Sequence, residues 1–178
     1  MASIYEPIES DVSGFKKCFY LVPELWDKFN CNGLDNIDFS KWKRIKVMDE
    51  SGEFSEELKR IPTAYGGIYV YCIVPNVIPN CGCFISYIGM ASKTPTENLR
   101  RRVRSYKYEL GAGYKRDRIH NLFVRWGQYI YVYYLPVNAS NEIIEELETR
   151  LIGCHVPPCN PEIRDAAVKR KIKAFSEF

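Results

Sequence analysis

The sequence predicts an α+β domain: a small antiparallel sheet of about three strands, flanked by helices and preceded by an N-terminal extension. Three observations lead there. Gly67–Val74, Cys83–Met90 and Gln128–Val137 are rich in β-branched and aromatic side chains and read as strands. The first two are separated by PNVIPNCG, a run dense in turn residues that suits an antiparallel hairpin. The remaining segments carry helical spacing, so the order is strand, strand, helix, helix, strand, helix.

The first strand stops at Pro75, which cannot donate to a ladder. The first helix is expected over Thr96–Leu110. Leu99, Val103 and Tyr106 recur at i, i+4 and i+7, Thr96 is a plausible N-cap, and Gly111 ends the run. A second helix is expected from Arg116 to Trp126, closed by Gly127. QYIYVYYLPV (128–137) is the strongest strand signal in the chain. The last helix spans Asn138–Cys154, starting at Ser140 or Asn141, with Ile143, Ile144, Leu147 and Leu151 on one face. Upstream, Pro23 interrupts an apolar stretch, and Ser55 before acidic residues marks a short helix start. These features divide the chain into an extension of unknown role (1–62), a main domain (63–162) and a basic C-terminal segment (163–178).

The composition, 46% hydrophobic and 26% charged over 178 residues, excludes a disordered or collagen-like chain. No apolar stretch approaches the roughly 18 residues of a membrane helix. The acidic start, MASIYEPIESD, does not resemble a signal peptide, so a cytoplasmic protein is expected. An odd number of cysteines, seven, then points to reduced thiols rather than a disulfide framework. Cys81-Gly-Cys83 and Cys154-His155-x-x-x-Cys159 invite a zinc reading, but neither has C-x-x-C spacing.

Charge is segregated. Residues 1–60 carry nine basic and twelve acidic side chains, whereas residues 93–125 carry ten basic and three acidic. Arg100, Arg101, Arg102, Arg104 and Lys107 make the densest cluster, with Lys115, Arg116 and Arg118 following. Such a patch is the footprint of a polyanion-binding face. Four arginines in five positions cannot share one helix face, so part of the cluster only solvates the helix.

Two tripeptides on the predicted hairpin, Gly67-Ile68-Tyr69 and Tyr87-Ile88-Gly89, are followed in order by Asn98-Leu-Arg-Arg-Arg-Val-Arg-Ser-Tyr106 and by Glu148-Thr-Arg-Leu-Ile-Gly-Cys-His-Val-Pro-Pro-Cys-Asn160. Over residues 64–161 this pattern resembles the GIY-YIG nuclease superfamily, and its last part is similar to the nuclease domain of the bacterial excision-repair incision subunit. The resemblance implies a metal-dependent endonuclease that hydrolyses DNA phosphodiesters to 5′-phosphate and 3′-hydroxyl ends, in restriction or defence, mobile-element or repair settings. It places the catalytic arginine at Arg102, with Arg100 and Arg101 as competing registers. Glu148 becomes the ligand of one Mg²⁺ (or Mn²⁺), a hard ion that keeps water ligands and accepts phosphate oxygens. Tyr69 becomes the general base or the hydroxyl that orients the attacking water. Tyr87 holds water or phosphate, Gly89 lets the backbone pass close to the site, and Gly67, Tyr106 and Asn160 support it. For Tyr69 to act as a base, Arg102 and the metal must lower its pKa.

The loop before Leu99 is longer than in compact members, and 116–126 resembles an inserted helix. His120 and His155 match no family position and are expected to be structural or surface groups. Trp126, Tyr129, Tyr131 and Tyr133 are expected to pack rather than stack on bases. Two alternatives share these residues: an RNA-directed nuclease, since phosphate contacts do not distinguish the polymers, and an inactive nucleic-acid-binding module. The short chain favours a stand-alone nuclease, with a homodimer as one form it can take.

Overall fold

The computed structural model describes residues 17–170, apart from 32, 35, 36, 80, 112, 162–164 and 167. The acidic start and most of the basic C-terminal segment therefore lie outside the described residues. One antiparallel sheet runs in the order β1-β4-β2-β3, built from β1 (Lys43–Lys46), β2 (Gly66–Ile73), β3 (Phe84–Ala91) and β4 (Ile130–Val137).

The sheet thus has four strands, not about three. The additional strand comes from the N-terminal extension: KRIK pairs with β4 from Lys43↔Tyr134 to Lys46↔Tyr131. Its one buried side chain is Ile45, and three of its four residues are basic. A short lysine-rich segment is how proteins blunt a sheet edge, and it carries almost no strand signal.

All eight residues of β2 are buried, as a central strand covered on both faces requires. Alternation sends Tyr69, Tyr71 and Ile73 to a first face. There they meet Leu99, Val103, Tyr106, Ile119, Leu122 and Phe123. Ile68, Val70 and Cys72 point to the second face and pack against Ile144 and Leu147. The helices are α1 (Pro23–Lys28), α2 (Leu99–Ser105), α3 (Asp117–Trp126) and α4 (Asn141–His155). Helices α2 and α3 cover the first face, and α4 covers the second, with α1 packed on it.

Helix α2 begins later than the spacing predicts. Thr94 Oγ1 accepts the amides of Thr96 and Glu97, which holds the loop in a turn. Asn98, extended at φ −158°, is the cap, and its side chain accepts from Arg101 N at 3.0 Å. After Ser105 the chain tightens into a 3₁₀ turn over Tyr106–Leu110. Ser55 caps a 3₁₀ turn at Glu56–Arg60. Among the described residues no helix is long and apolar enough to cross a membrane.

Helix α4 ends at Val156, a β-branched residue in the left-handed region at φ 46°. That conformation costs on the order of 1–3 kcal/mol and reverses the chain toward the outer edge of β3. There Cys159 N donates to Ser86 O at 2.9 Å.

Candidate active site

The hairpin register sets Tyr69 of β2 opposite Gly89 of β3 and Tyr71 opposite Tyr87. The two tripeptides are therefore one object. The Tyr69 ring lies across Gly89 so closely that a Cβ there would stand 2.5 Å from Tyr69 Cζ and closer still to its hydroxyl. Helix α2 lays Arg102 over the same spot, and Tyr106, four residues on, falls on the same side.

Three phenols and two guanidiniums meet there. Tyr69 Oη lies 2.7 Å from Tyr106 Oη, and Tyr106 Oη donates to Tyr87 Oη at 3.1 Å. Arg102 Nε donates to Tyr69 Oη at 3.4 Å, and an Arg116 terminal nitrogen donates to Tyr106 Oη at 2.9 Å. Proton counting fixes the direction of this chain. Tyr106 has one proton and gives it to Tyr87, so Tyr69 must donate to Tyr106. The proton of Tyr87 is then the one left to point toward a bound molecule. Exposure agrees, since Tyr69 and Tyr106 are 0% exposed and Tyr87 is 9%.

Arg102 does pull the Tyr69 pKa down, but other effects outweigh it. Burial pushes that phenol well above its ordinary value, Tyr106 and Tyr87 add to the effect, and the opposing pull of Arg102 is smaller. Tyr69 keeps its proton at neutral pH and directs it to Tyr106, so the donor that faces a bound molecule is Tyr87. Arg102 stays charged: burial opposes the charge, but Tyr69 beside it outweighs the burial.

Among the clustered arginines, Arg102 is half-buried against the phenols, whereas Arg101 is exposed and Arg100 Nε donates to Ile61 O at 2.5 Å. Arg100, Arg101, Arg104 and Lys107 line a hollow of about 520 Å³ between α2 and the 54–63 segment. Lys115 is exposed beside α3. Arg116 and Arg118, expected among the phosphate contacts, also have partners within the protein. Arg116 sits 4.5 Å over the Tyr106 ring and pairs with Glu109 at 3.0 Å, and Arg118 donates to Asn160 O at 3.0 Å.

Glu109 escaped the sequence reading, although it is the lone acid between Glu97 and Asp117. It is 6% exposed and accepts the amides of Lys115 and Arg116. Burial would raise its pKa, but these amides and the Arg116 guanidinium outweigh it and hold the carboxylate below its ordinary range. A depressed carboxylate contributes stability that is full above the unfolded value, about 4.3, and is lost as pH falls below it. Thermal melts across about pH 3 to 6 should therefore fall more steeply with acid for the wild type than for Glu109→Gln.

Asn160 works on the backbone. Its side chain accepts from Ile88 N at 2.9 Å and donates to Ile88 O at 2.8 Å, closing the free edge of β3 between Tyr87 and Gly89. Asn160→Ala strips partners from two backbone groups and is expected to cost about 2–4 kcal/mol in urea denaturation. It should also loosen Tyr87.

Glu148 is half-buried on α4, next to Leu147, which packs on the second face; the phenols and Arg102 occupy the first. Its carboxylate is a hard oxygen donor suited to Mg²⁺ or Mn²⁺. Among the described residues no three His, Cys, Asp or Glu side chains converge as a metal cage. An ion held by Glu148 would complete its shell with water and phosphate oxygens. The two histidines lie elsewhere: His120 Nδ1 is 2.8 Å from Glu109 O and its ring stacks on Tyr114, while burial lowers the pKa of His155. Compared with known protein families, curated proteins and solved structures, the chain matches none.

Proposed function

We infer that the chain is a metal-dependent endonuclease of the GIY-YIG type that hydrolyses phosphodiester bonds in DNA. The observation that carries this reading is the convergence of Tyr69, Tyr87, Arg102 and Tyr106. These residues, singled out by their order in the sequence, come from β2, β3, α2 and the turn after it and form one hydrogen-bonded cluster. Buried tyrosines alone would be packing. A half-buried guanidinium held over them gives a phosphoryl group something to bind.

In this reading Arg102 uses Nε to hold Tyr69 and presents its terminal nitrogens as a fork to two phosphoryl oxygens, meeting charge as it builds in the transition state. Tyr69 donates a hydrogen bond to Tyr106, which fixes the Arg102 fork and the direction of the phenol chain. Tyr87, at the outer end, donates to the attacking water or a phosphate oxygen and orients it. Arg116 anchors Tyr106 from behind. Asn160 and Gly89 hold the β3 backbone where Tyr87 and Tyr69 need it. Glu148 would hold the divalent ion, whose contribution when bound is to neutralise charge on the phosphoryl and leaving oxygens.

Arg100, Arg101, Arg104 and Lys107 around the hollow, with Lys115, supply contacts to flanking phosphates. About five or six such contacts give a log–log salt dependence of binding near −5. The inactive-binder reading draws on one observation, the complete burial of the Tyr69 hydroxyl. Supercoiled plasmid, branched DNA and single-stranded RNA, each incubated with Mg²⁺ or Mn²⁺, separate the readings. Scission of DNA is expected, scission of RNA alone would reassign the substrate, and salt-sensitive binding without scission would leave the binder.

A further inference from the structure

We propose that Cys83 is a peroxide-reactive thiol whose oxidised form is captured by Cys72, closing a disulfide between β2 and the start of β3. This cluster lies on the second face of the sheet, apart from the phenols, and the proposal stands whether or not the chain is a nuclease. Cys72 pairs with Ile85, so Cys83, two residues before it, is the diagonal neighbour on the same face. The two thiols are thus cross-strand neighbours. Tyr133 of β4 borders the same hollow as Cys83, and Arg44 of β1, directly opposite Tyr133, donates to its hydroxyl at 3.3 Å. Arg44, Tyr133, Cys81 and Cys83 line a small hollow of about 130 Å³ that gives a peroxide access to the sulfur. Cys72 lies beneath, buried at 2% exposure.

The surroundings decide which sulfur is the nucleophile. The neighbouring Cys72 thiol, then the Tyr133 hydroxyl and the Arg44 charge, hold the Cys83 thiol below its ordinary value against the effect of partial burial. The nearness of Cys83 and deeper burial push Cys72 up, so it keeps its proton. In the first step the Cys83 thiolate attacks the outer oxygen of a hydroperoxide. The S–O bond forms as the O–O bond breaks, and the alkoxide or hydroxide leaves and takes up a proton. Sulfur gives two electrons to the peroxide and becomes a sulfenic acid. In the second step the Cys72 sulfur attacks that sulfenic sulfur, losing its proton to the departing hydroxide. The S–S bond forms and one water leaves.

The test uses the full chain and hydrogen peroxide at neutral pH. Cys72, Cys81 and Cys83 fall between Arg60 and Lys93, on a single tryptic peptide, so a bridge among them appears as the loss of two hydrogens from its mass. The loss is expected in the wild type and in Cys81→Ser, and not in Cys83→Ser. In Cys72→Ser, a sulfenic acid at Cys83 should accumulate and be trapped by dimedone. In the reduced wild type, iodoacetamide should label Cys83 about tenfold faster than Cys81 at pH 7. The proposal is overturned if the loss persists in Cys83→Ser, if it disappears in Cys81→Ser, or if peroxide oxidises other cysteines before this peptide changes. The wild-type and Cys81→Ser results do not depend on altering the buried Cys72.

Discussion

Arg102→Ala is expected to lower the rate of DNA scission by about 10²-fold or more while leaving the fold and most of the binding intact. Arg102 is half-buried, and its side chain bonds Tyr69 at 3.4 Å, so its removal leaves no large cavity. What it removes is a fixed, permanently charged fork over the phenols. Arg100, Arg101, Arg104 and Lys107 remain around their hollow, so affinity should change far less than rate. Arg102→Lys keeps the charge and loses the planar fork, and it should recover little activity. Single-turnover cleavage and filter binding on the same preparations give the comparison. Affinity and rate falling together would make Arg102 one more phosphate contact.

The largest expected loss of stability is at Gly67. It sits in the central strand at φ +144°, a region that residues with a Cβ rarely adopt, and an added Cβ would run into the Leu135 carbonyl oxygen of β4. Both the backbone conformation and the collision oppose alanine, and neither neighbour can yield without breaking the β2–β4 ladder. Strain and overpacking of this kind together cost about 3–5 kcal/mol, a large part of the roughly 5–15 kcal/mol that holds a domain folded. Gly113 is the control, because a Cβ there meets nothing within 4 Å. Urea denaturation should show Gly67→Ala unfolding far earlier than wild type and Gly113→Ala close to it. Equal midpoints would refute the claim that this glycine is demanded by the sheet.

Much of the architecture was legible because local pattern and tertiary role agree. The β-branched runs of β2, β3 and β4 are strands on the evidence of composition, and Leu99, Val103 and Tyr106 mark the buried side of the α2 segment. The same phase put Arg102 and Tyr106 together. What was illegible depends on contacts between distant segments. β1 is four residues long and mostly basic, and it is a strand because β4 offers an open edge. Asn98 rather than Thr96 caps α2 because Thr94 has already taken the nearby amides. Nothing local in the sequence reveals that Arg116 meets Glu109 and Tyr106. The raised pKa of Tyr69 was hidden for a related reason: sequence showed the arginine beside it but not the depth of its burial. Glu148 is the case where order along the chain says most, since its spacing to Asn160 singled it out among four glutamates on one helix.

The central claim is that this cluster, with Glu148, cuts DNA. Its most direct test is the nicking of supercoiled plasmid in Mg²⁺ by the wild type beside Glu148→Ala and Arg102→Ala, each checked for folding by circular dichroism. The account predicts open circles from the wild type and a loss of about 10²-fold or more in both folded variants. Nicking that survives Glu148→Ala at the wild-type rate, or a wild type that binds plasmid and never nicks it, would contradict it.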